Sequence, residues 1–174
     1  IFLASEVIDP RSNPTTEEEA QARFVRALAT WVVMDLFGQV PNRAPDQGPD
    51  TLPEVLSRAE ALASVLDDLD VAITGLPSVA AGNMNGLQRA TKAAARFLKA
   101  RVLLNSGVYI GTGTPEYLDE VISLVDAIAE DGYSLQAGYF GLFEQNADTE
   151  TIFWLPASPN VLTYGAMHYN QRYG

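Results

Sequence analysis

The stretch TEEEAQARFVRALATWVVMDLFGQVP, residues 16–41, decides the fold. Thr16 followed by Glu19 has the spacing of a capping box, and three glutamates at 17–19 favour the positive end of a helix dipole. Apolar side chains then recur at Phe24, Ala27, Leu28, Trp31, Val32 and Leu36, with Asp35 as the one polar member of the stripe. That is 3.6-residue spacing. Gly38 stops the helix and Pro41 keeps it from resuming. A helix is therefore expected over 16–37, with Phe24 and Trp31 in the core.

Working outward, the same grammar repeats. Thr51 and Glu54 form a second capping-box candidate, and an apolar face runs from Val55 to Ile73 before Gly75 and Pro77, so a helix is expected over 52–74. ATKAAARFLKARVLLNSG predicts a third helix, about 89–106, whose Ala93, Ala94 and Ala95 let a neighbour approach closely. Thr114 and Pro115 open a fourth, with Leu118, Val121, Ile122, Val125 and Ile128 expected to be buried and Gly132 as the stop. Residues 1–15 read as a connector, with a brief extended stretch at Phe2–Val7. The prolines and glycines of 38–50 make an irregular connection. A short helix is expected within 137–145, and TIFWLP at 151–156 is the one strand-like segment. The fold class is mainly all-α: tetratricopeptide-like helical hairpins with long irregular loops and one short strand. The helical-repeat scaffold spans 16–156, and 157–174 is an aromatic and polar loop.

Composition narrows the function. The chain has 174 residues, 22 acids against 11 bases, no cysteine and a single histidine, His168. Disulfides, thiolate zinc sites, cysteine nucleophiles and multi-histidine metal sites are excluded. A net charge of −11 without a basic stripe argues against nucleic acid. No apolar run is long enough for a membrane-spanning helix. The chain opens on Ile1, which is not expected to be the translation start. GTGTP at 111–115 lacks the lysine of a phosphate loop and reads as a turn. Asp67, Asp68 and Asp70 crowd one helical turn without the calcium-loop pattern, and a solvated helix face is expected. No catalytic residue, cofactor site or metal site is assigned.

Two places suit a sugar. Trp154 lies in the strand-like segment, sharing a face with Ile152, and one face of that segment is a candidate for partial exposure. Tyr164, His168, Tyr169, Asn170 and Gln171 lie within ten residues of the tail. Aromatic rings stack on the C–H faces of sugars while amides pair with hydroxyls. These six residues are the ligand-binding candidates.

Five segments, in order, resemble the SusD/RagB family of surface glycan-binding lipoproteins of Bacteroidota: ARFVRALATWVVMDLFGQVP (22–41), SRAEALASVLDDLDVAITGLP (57–77), ATKAAARFLKARVLLNSGVYIG (90–111), DGYSLQAGYFGLFEQNADTETIFWLP (131–156) and MHYNQRYG (167–174). The resemblance implies a non-enzymatic protein that captures oligosaccharide or polysaccharide at the outer-membrane surface. It also implies a SusC-like TonB-dependent transporter as partner. The membrane would be reached only through a lipid anchor absent from this chain. Members are commonly about three times this long, so the chain reads as the scaffold third of a larger binder. The other reading from spacing alone is a helical-repeat adaptor for proteins or peptides, without a sugar role. A hydrolase using two of the acids is the remaining rival.

Overall fold

A computed structural model describes residues 1–48, 50–143 and 148–155. Six α-helices dominate the described residues: α1 (Phe2–Ile8), α2 (Thr16–Phe37), α3 (Arg58–Gly75), α4 (Lys92–Leu104), α5 (Ser106–Ile110) and α6 (Leu118–Glu130). The mainly helical class expected from the sequence is what the chain adopts. Helices α2 and α3 pack as one antiparallel hairpin and α4 and α6 as a second, with α3 against α4 between them. Phe24, Ala27 and Met34 of α2 meet Leu62, Val65 and Leu69 of α3 and Leu98 and Val102 of α4 in one buried core.

Helix α2 has the expected extent, but its cap is one residue earlier. Thr15 accepts from the Glu18 amide while the Glu18 carboxylate accepts from the Thr15 amide at 2.9 Å. TTEEE satisfies the capping pattern in both registers, so pattern alone does not choose between Thr15 and Thr16.

Several expectations need correction. Helix α6 opens at Leu118 rather than at Thr114, and of the five apolar positions expected to be buried only Val121 and Ile128 are, while Leu118, Ile122 and Val125 are 50%, 58% and 49% exposed. Trp31 is partly buried against the core rather than within it. The segment Phe2–Ile8 is helical, not extended. Ala4 and Ser5 are buried, and α1 packs on α2. The second long helix begins at Arg58, not at 52. Its capping box is Ser57 with Glu60. The residues before it form a strand, β2 (Glu54–Ser57), paired antiparallel with β1 (Gln39–Asn42), so part of the supposedly irregular 38–50 connection is strand. The register sets Val40 opposite Leu56 and Pro41 opposite Val55. Pro41 costs little in a ribbon of two edge strands, because it has no N–H to leave unpaired there. Finally, 151–155 is extended but is not a strand. Among the described residues of this segment, a single backbone bond, Trp154 N–H to Leu87 O at 3.1 Å, ties it to the short 3-10 turn Gly86–Gln88, whose geometry offers no ladder.

The acidic turn of α3 also departs from expectation. Asp68 is 1% exposed and ion-paired to both Arg23 and Arg26. Asp70 instead meets Lys99 of α4. Asp67 and Asp70 stand on the solvated face as expected, their side chains 75% and 61% exposed, so of the three only Asp68 departs from it.

Candidate functional site

Residues 148–155 cross the helical body as a strap. Asp148 builds its first turn: the buried carboxylate accepts from the Glu150 amide, the Thr151 amide and the Thr151 hydroxyl. Burial alone would raise its pKa. The three hydrogen bonds outweigh that and hold the carboxyl below its ordinary range. Ser134 N–H donates to Thr149 O at 2.9 Å, tying the strap to the segment after α6.

Beyond the turn, Phe153 packs on the main core, Trp154 on a second, smaller one, and Ile152 touches both. Phe153 packs edge-to-face on Phe24 of α2, with ring centroids 5.5 Å apart. Trp154 turns the other way, and its indole N–H donates to Met84 O at 2.7 Å. Leu87, Tyr133 and Ile128 form the small core against which it rests. Trp154 is thus half-buried with its one polar atom committed, so any ligand would meet only the ring. Tyr164, His168, Tyr169, Asn170 and Gln171 lie outside the described residues.

Where the strap passes α2 and α4 it leaves a cleft of about 290 Å³. Phe24, Leu28 and Phe97 line it from the helices and Ile152 and Phe153 from the strap, with Arg101 and Glu150 as its charged members. Phe97 is 43% exposed. The Glu150 carboxylate accepts from the Gln136 amide at 3.0 Å. The Arg101 guanidinium lies 5.0 Å from the centroid of the Trp31 ring, a cation–π stack. Trp31 is itself held. Its N–H donates to the Tyr109 hydroxyl at 3.0 Å, and that hydroxyl donates to Asp35 at 2.8 Å. Asp35, the polar exception on the apolar stripe of α2, is there to receive it. Burial pushes the Tyr109 pKa up. The Trp31 bond opposes this and the Asp35 bond adds to it, so the phenol stays protonated and able to donate.

The cleft combines apolar ring faces with one fixed donor group and one fixed acceptor, the usual makeup of a small-ligand site. Its residues come from three distant stretches. In sequence, Phe97 is one more apolar helix position and Arg101 one more surface cation. The available signal was Phe97 and Arg101 at i and i+4, which shares one helix face. Among the described residues no group of three or more acids and histidines converges as a metal site. No helix there is long and apolar enough to cross a membrane.

No protein-family model matches the chain, and no curated protein sequence does either. Solved structures do. A SusD-like protein from Bacteroides fragilis NCTC 9343 superposes with a TM-score of 0.72 at 22% identity, over 91% of this chain and 32% of that one. A SusD-like carbohydrate-binding protein from the same organism gives 0.71 at 21% identity, over 90% of this chain and 31% of that one. A crystal structure with xylogluco-oligosaccharide gives 0.73 at 22% identity, over 89% and 33%. The chain spans about a third of the length of the structures it matches. By its architecture, this chain has the SusD-like fold, over a stretch corresponding to about a third of a SusD-like protein.

Proposed function

We propose that the chain is part of a non-catalytic, surface-exposed binding protein that captures oligosaccharide for import. One observation carries this reading. The chain follows, over nine-tenths of its length, a fold whose solved examples include a carbohydrate-binding protein and a structure with xylogluco-oligosaccharide. Residues 16–156 serve as the helical scaffold and 157–174 as a ligand-contacting loop. There Tyr164, His168 and Tyr169 offer rings and Asn170 and Gln171 offer amides, with the Trp154 ring where the chain enters that loop. Import would run through a SusC-type TonB-dependent transporter in the outer membrane, where a lipid anchor would tether the protein. No cofactor is needed, because capture requires only stacking and hydrogen bonding.

The test is calorimetric titration of the natural full-length protein with a panel of oligosaccharides, alongside purification from outer membranes. Saturable binding of at least one glycan and a co-purifying TonB-dependent transporter are expected. A protein silent across the panel that also brings down no transporter overturns the proposal.

A further inference from the structure

We propose that the cleft between α2, α4 and the strap is a subsite for a single neutral pyranose ring, separate from the 164–171 segment. This inference rests on the carbohydrate reading above and adds a place and a ligand charge to it. Size sets the first limit. At about 290 Å³ the cleft is at the small end of ligand pockets, which run from roughly 300 to 1,000 Å³, so it takes one ring rather than a chain of them.

Chemistry sets the second. Phe97 and Phe153 supply apolar ring surface for the C–H face of a sugar. Arg101 and Glu150 supply a donor and an acceptor. Each is held by a neighbour: the Trp31 ring under the guanidinium, the Gln136 amide on the carboxylate. Among the described residues the Arg101 guanidinium has neither a hydrogen-bond nor an ion-pair partner. Arg23, Arg26, Arg96 and Lys99 each meet a carboxylate. In a chain with twice as many acids as bases, a positioned arginine without an acid beside an aromatic cleft is left with its donors for something else.

Charge sets the third. Glu150 on the same lining opposes an anionic ligand, and Arg101 opposes a cationic one. A neutral polyol satisfies both, because each hydroxyl donates and accepts.

The experiment titrates the full chain by calorimetry with neutral cello-, laminari-, malto- and xylogluco-oligosaccharides and with anionic oligogalacturonate. It compares the wild type with Phe97→Ala, Arg101→Ala, Glu150→Gln and the tail variant Tyr169→Ala, with circular dichroism and thermal midpoints confirming that each folds. A neutral oligosaccharide should bind, and each cleft variant should weaken it about tenfold, the effect of losing a charge-assisted hydrogen bond or a stacking ring. Binding should also change the Trp31 fluorescence through Arg101, an effect absent in Arg101→Ala. Unchanged affinity in all three folded cleft variants, with Tyr169→Ala weakened, overturns the subsite and leaves the carbohydrate reading standing. Tight binding of the uronate alone overturns the neutral-sugar assignment. A wild type that binds none of the sugars overturns the subsite, whereas the carbohydrate reading falls only if the natural full-length protein is silent too and brings down no transporter.

Discussion

Asp68 is a carboxylate 1% exposed, and a charge removed from water in that way must be paired inside the protein. It receives Arg26 through two bonds of 2.7 Å and Arg23 through one of 3.0 Å. Arg26 in turn donates to Ser5 at 3.2 Å, so one carboxylate holds α1, α2 and α3 together. Asp68→Asn should lower stability by about 3 kcal/mol in urea unfolding, at the low end for a broken buried pair because both guanidiniums keep some solvent. Hydrogen exchange should show α1 loosening first. The strap makes a second prediction at this scale. Because Asp148 titrates below the ordinary carboxylate range when folded, its contribution is complete above the unfolded pKa of about 3.9 and is lost as pH falls through the folded value. Acidification through that lowered folded value should therefore release the strap, read as a shift in Trp154 fluorescence, and Asp148→Ala should show the released spectrum already at pH 7. Asp68 looks like solvated surface in sequence, as its neighbours Asp67 and Asp70 are, because its two arginine partners are more than 40 residues away, and no local pattern reports such a meeting.

Elements were legible where a signal was both local and singular. Helix α2 combines a periodic stripe, an acidic first turn and a glycine stop, and Gly38 does take the left-handed conformation expected of it. The start of α3 is ambiguous in sequence because Thr51–Glu54 and Ser57–Glu60 both fit the capping pattern. What separates them is the pairing of 54–57 with 39–42, a contact across the intervening loop. Ser57→Ala should cost about 1 kcal/mol, measured by thermal or urea denaturation, whereas Thr51→Ala should cost nothing measurable. The other end of α3 makes a different point. Gly75 looks like a helix stop, yet the residue is needed for proximity. A Cβ there would lie 2.8 Å from the Ala20 Cβ and 3.2 Å from the Thr16 carbonyl oxygen, at the start of α2. Gly75→Ala should thus destabilise by about 2 kcal/mol, although alanine is the better helix former, because the hairpin must open to admit it. The candidate site was the least legible part, since the cleft needs Phe24, Phe97 and Phe153 brought together from α2, α4 and the strap.

At the scale of the molecule, two hairpins must be joined into one array, and the seam between them is partly ionic. Lys99 of α4 is 8% exposed as a residue and reaches both Asp70 of α3 and Glu120 of α6, the latter at 2.6 Å. Burial alone would lower its pKa. The two carboxylates more than offset that and raise it, so the amine stays charged. This seam differs from the Asp68 knot in where the exposure lies. Here the carboxylates keep water, with side chains 61% and 43% exposed, and the cation is the buried partner. Removing the cation strands no buried charge, and an apolar side chain of similar length fills its place. Lys99→Met should accordingly change the stability of the array by less than about 1 kcal/mol, whereas Lys99→Ala, which leaves the space empty, should cost about 2 kcal/mol. Urea unfolding followed by circular dichroism measures both. Equal losses in the two variants would mean that charge, rather than volume, joins the hairpins.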